Sequence, residues 1–106
     1  MATLSKEFKK KVAELYSKKK HSLDQLDPNA LEQFASEALK AIQKEKENTP
    51  SSHDIEVLEQ AMKHLKQDST KLKNLQPDTD DYDFTRNDCK NLLNSTRRWL
   101  KTEELI

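Results

Sequence analysis

The sequence predicts an all-α fold, a small antiparallel bundle of about four helices, and three observations carry that expectation. Glycine is absent from all 106 residues. Proline occurs only three times. The apolar residues, 33% of the chain, recur at spacings of three and four. Sandwiches and barrels need tight turns, and those turns need residues that accept positive φ. Dinucleotide and phosphate loops need glycines where backbone approaches ligand. Charged residues reach 36%, but the formal net charge is zero, and the periodic apolar positions argue against disorder. The length predicts one domain over 1–106, large enough to bury roughly two-thirds of the surface its unfolded form exposes.

A first helix is expected over 4–20. Leu4, Phe8, Val12, Leu15 and Tyr16 fall on one face, with Thr3 or Ser5 as its cap. His21 to Leu26 read as a connector or a single helical turn, pinned by Leu23 and Leu26. Asp27-Pro28 is the clearest helix start, since aspartate accepts from the free amides and proline is tolerated at the first helical position. The second helix then runs over 28–47 with Leu31, Phe34, Ala35, Ala38, Ala41 and Ile42 inward, until Asn48-Thr49-Pro50 stops it.

A third helix is expected over 52–75, capped by Ser51 and Asp54. Ile55, Leu58, Met62, Leu65, Leu72 and Leu75 form a heptad-like stripe, with Ser69 in the missing slot. Gln76-Pro77 ends it. Residues 77–84 read as an acidic loop. Thr85 and Asp88 are the capping-box pair of a last helix over 85–104, whose inner face is Cys89, Leu92, Leu93, Thr96, Trp99 and Leu100.

No arrangement of residue types points to catalysis, so the chain is expected not to be an enzyme. Cys89 sits in the apolar stripe and reads as a small core residue. His53 and His64 lie eleven residues apart on one helix, too far to share an ion, and the Glu-x-x-His pairs of di-iron bundles are missing. The acidic loop fails the calcium-loop pattern: counted from Asp78, the sixth and twelfth positions hold Asp83 and Cys89 instead of glycine and glutamate. No cofactor or metal is therefore expected. Ser51 and Ser52 are possible modification points at a helix start, though capping explains both residues.

Charge is unevenly placed. The first helix carries Lys9-Lys10-Lys11 and Lys18-Lys19-Lys20, while Asp78, Asp80, Asp81, Asp83 and Asp88 gather late in the chain. One cysteine, no signal peptide and no long apolar run predict an intracellular chain, cytoplasmic or nuclear, without a transmembrane segment. The expected function is a non-enzymatic protein-interaction module: an adaptor, a small complex subunit, or an inhibitor- or immunity-type protein. The partner is another protein or a second copy of the chain. Leu72, Leu75 and Trp99 are candidate anchors, with Asp80, Asp81 and Asp83 as a charged rim. The alternative is binding of nucleic acid or an anionic surface through Lys10, Lys11, Lys18 and Lys19. A sequence pI near 6.8 disfavours it.

Overall fold

The computed structural model describes residues 4–48 and 53–106. Among them all regular structure is helical: α1 Lys6–Lys18, α2 Lys20–Asp24, α3 Pro28–Asn48, α4 His53–Asn74 and α5 Asp80–Thr102. Helix α3 packs against α1, α2 and α4, α4 in turn packs against α5, and α5 returns to α1 through Phe8–Trp99, Lys9–Glu103 and Tyr16–Arg97. The long helices give the body an extent of 46 × 23 × 19 Å.

Local chemistry sets each element. Ser5 caps α1, its Oγ accepting from Phe8 N at 3.2 Å. Glu45, buried on α3, accepts in turn from Ser5 N at 2.6 Å and Ser5 Oγ at 2.9 Å. A carboxylate at the positive end of a helix is favourable, so one side chain both caps α1 and fastens it to α3. Phe8, Val12, Leu15 and Tyr16 then bury their stripe as the spacing predicts.

The expected first helix is broken at Lys19, whose backbone leaves the helical region, and the connector forms the short α2. Its exit is a Schellman turn: Asp27 N donates to Ser22 O at 3.1 Å and Leu26 N to Leu23 O at 3.0 Å. Leu26 occupies the left-handed position at φ 57°, where glycine is usual. A leucine stands there because its side chain is buried, and that burial offsets the local backbone penalty. Asp27 Oδ1 accepts from Asn29 N at 3.1 Å and starts α3 behind Pro28.

The same turn recurs after α5, where Glu104 sits at φ 60°, Leu105 N donates to Leu100 O and Glu104 N to Lys101 O. Glu104 is exposed, so nothing offsets its strain. Glu104→Gly is therefore expected to stabilise the protein by about 0.5–1 kcal/mol, the relief of the left-handed penalty less the extra freedom glycine has when unfolded. A higher urea midpoint at unchanged slope would show it.

Three expectations are corrected. Residues 80–84 are not loop: α5 begins at Asp80, with Thr79 as cap and its Oγ1 accepting from Tyr82 N at 3.3 Å. The aspartates that looked like loop are the first turn of a helix, where acids face the positive end of its dipole. Thr85 is consequently a buried residue inside α5 rather than a cap. Leu72 is also buried, at 4% exposed, in the inward stripe of α4 that runs through Ile55, Leu58, Met62, Leu65 and Ser69. It belongs to the core and is not available as an anchor. The expected cap Ser51, and the whole of 49–52, lie outside the described residues.

Ion pairs tie the helices at their rims. Lys73 meets Glu32 at 2.7 Å, Lys9 meets Glu103 at 2.8 Å, and Lys46 meets the buried Glu59 at 3.0 Å. The Lys46 ammonium, with the Gln43 amide, holds Glu59 below the usual carboxylate range despite its burial.

Candidate functional site

Helices α4 and α5 run antiparallel, since Val57 shares a recess with Trp99 while His64 meets Asp88. Helical spacing places Val57, Ala61, His64 and Asp68 along one side of α4, with Leu75 just past its last residue, and Asp81, Phe84, Asp88, Ser95 and Trp99 along one side of α5. The seam between these two rows holds three distinct environments.

At one end, Val57, Leu58, Ala61, Ser95, Thr96 and Trp99 line a recess of about 300 Å³. Val57 is 53% exposed. Trp99 is half-buried, its ring tilted against Phe8 at 6.4 Å. Its Nε1 is buried with no hydrogen-bond partner. At the other end Phe84 is 75% exposed, with Asp80, Asp81 and Asp83 exposed around it.

The middle is ionic. His64 Nε2 lies 2.8 Å from Asp88 Oδ2 and 3.4 Å from Asp68 Oδ2. Asp68 is buried while His64 is more than half exposed. Burial, followed by the neighbouring Asp88 carboxylate, pushes Asp68 up to about 6, against the pull of His64 and Lys71. Cys89 lies wholly buried close by. Burial and the two carboxylates push its thiol up to about 12, which favours the protonated form at neutral pH. Its sequence reading as a core residue agrees.

The lysines do not form a uniform ridge. Lys11 and Lys18 flank one shallow recess, but Glu14 stands in it with them. Lys10 is exposed, and Lys19 donates to Gln33 Oε1 at 2.9 Å. Arg97 is likewise committed: it donates to Tyr16 Oη and Asn94 Oδ1, pairs with Asp24, and lies 5.8 Å from the Tyr16 ring centroid. A larger recess, about 600 Å³ between α1 and α3, is lined by residues of both charges around the Ser5–Glu45 clamp.

The structure thus brings Trp99 into the seam, sets Asp80, Asp81 and Asp83 around Phe84, leaves Leu75 half-buried and removes Leu72 to the core. Sequence reasoning missed Val57 and Phe84. Both were visible as apolar residues out of phase with the inward stripes of their helices. It also missed the ionic cluster. His64 and Asp68 have the one-turn spacing that aligns side chains on a helix, but Asp88 joins them only through the packing of α5. Among the described residues no helix is long and apolar enough to cross a membrane.

Compared with known protein families, curated proteins and solved structures, the chain matches none.

Proposed function

We propose that the chain is a non-enzymatic interaction module that docks another protein along the α4–α5 seam. The observation that carries this reading is Phe84, a large apolar side chain 75% exposed on a regular helix in a chain poor in apolar residues. Val57 and Trp99 extend the apolar surface at the opposite end of the same seam. Aromatic anchors of this kind dominate interface energetics. Asp80, Asp81 and Asp83 around Phe84 suit a partner segment carrying lysine or arginine, and charge of this kind governs encounter rate and register. The burial of Cys89 in the core is in keeping with a non-enzymatic role. Glu14 within the lysine recess weakens the case for anion binding through α1.

The test is capture from native lysate with three forms of the tagged protein. Wild type is compared with the double variant Val57→Asp, Phe84→Asp, and with a variant in which Lys10, Lys11, Lys18 and Lys19 are all glutamine. One nuclease-resistant protein partner, retained by the lysine variant and lost by the double variant, is expected. Material lost on nuclease treatment, or retained by the double variant and lost with the lysines, would replace this reading with anion binding. Recovery of the untagged chain alone would make the partner a second copy.

A further inference from the structure

We infer that His64, Asp68 and Asp88 form a binding site for one divalent zinc-class ion that clamps α4 to α5. The inference is independent of the docking role. The three side chains each offer one ligand atom, and these atoms lie within 4.8 Å of one another. A tetrahedron built from bonds of about 2.0–2.1 Å has edges of about 3.3–3.4 Å; the His64 Nε2 to Asp68 Oδ2 separation of 3.4 Å meets this, and the 2.8 Å between His64 Nε2 and Asp88 Oδ2 has to open by about half an ångström to admit the ion. One imidazole nitrogen with two carboxylate oxygens is a donor set that suits zinc, cobalt or manganese more than calcium.

A second observation points the same way. Asp68 is 5% exposed, and its Oδ2, aimed at His64 and Asp88, is buried without a hydrogen-bond partner. Buried carboxylate oxygens are ordinarily satisfied. His64 cannot satisfy both acids, because Nε2 carries at most one hydrogen and Asp88 stands closer at 2.8 Å. Two carboxylates facing one imidazole also leave an excess of negative charge between the helices, which a divalent ion cancels. The exposed flank at His64, 54% open, gives an ion its entry path and leaves room for water to complete the coordination. Cys89, though adjacent, is not among the groups whose ligand atoms converge there.

The experiment is titration of the purified chain, stripped with chelator, with Zn²⁺ by calorimetry and with Co²⁺ by visible absorption. One ion per chain is expected, with a rise in Tm that saturates at that ratio and is reversed by chelator. His64→Gln and Asp88→Asn, both at solvent-accessible positions, should each weaken binding by about tenfold or more, whereas His21→Gln and His53→Gln leave it unchanged. Mn²⁺ added to the wild type should broaden the backbone amide resonances around 64, 68 and 88 first, a readout that needs no variant to fold. Absence of a Zn²⁺-dependent rise in Tm, binding that survives loss of His64 and Asp88, or broadening centred elsewhere would overturn the assignment.

Discussion

Replacing Phe34 by alanine should cost about 3–5 kcal/mol, the usual range for deleting a buried aromatic ring and leaving its cavity. Phe34 is fully buried on α3, the one helix in contact with α1, α2 and α4. Its ring meets Tyr16 edge-on at 6.3 Å, with an interplanar angle of 70°, a geometry that adds to simple burial. Tyr16 is itself held by Arg97, so the cavity would loosen the joint between α1 and α5 as well as the core of α3. A domain of this size has a total stability of about 5–15 kcal/mol, so Phe34→Ala would remove a large share of it. Phe84→Ala, at an exposed ring of the same type, should change stability by no more than about 0.5 kcal/mol. Urea unfolding of the two variants checks both statements. Equal costs would mean that the two phenylalanines are not divided between core and surface.

That division shows how far the sequence could be read. The core was legible because burial follows helical phase: Phe8, Leu31, Phe34, Ile42, Ile55, Met62, Leu65 and Leu93 stand at the spacings that put them inside, and all are buried. Asp27-Pro28 marked the start of α3 for a backbone reason that does not depend on tertiary context. The start of α5 was misread because Asp80, Asp81 and Asp83 carry no apolar phase. A helix's first turn is stabilised by acids at its positive end, and composition alone does not separate that case from an acidic loop. Leu72 shares the inward phase of Ile55, Leu58, Met62, Leu65 and Ser69, and that phase places it in the core. The ionic cluster was the least legible feature. His64 and Asp68 are one turn apart in sequence, but Asp88 reaches them only once the register between α4 and α5 is set, and no local rule sets that register.

Asp68 gives the second large effect, in the pH dependence of stability. Its carboxyl is pushed up to about 6 in the folded chain, from an ordinary 3.8, chiefly by burial and then by Asp88. The folded state therefore holds this proton more tightly than the unfolded state. The contribution of Asp68 is fully present below about pH 4 and is lost as the pH rises through 6. The gap between the two values corresponds to about 3 kcal/mol at most. The facing groups are His64 and Lys71, which favour the charged form, and Asp88, which opposes it; Cys89 stays neutral beside them. An amide in place of the Asp68 carboxyl would carry no charge at any pH. In the chelated protein, Asp68→Asn should accordingly gain on the wild type by about 1–3 kcal/mol between pH 4 and pH 7, measured by urea unfolding at each pH. The acid-side limit matters as much as the gain. Near pH 4 the wild-type carboxyl is protonated and nearly isosteric with the amide, so the two forms should differ least there. A difference that is constant across the range would mean that Asp68 ionises as readily in the folded chain as in the unfolded one, and that α5 leaves its carboxylate open to water.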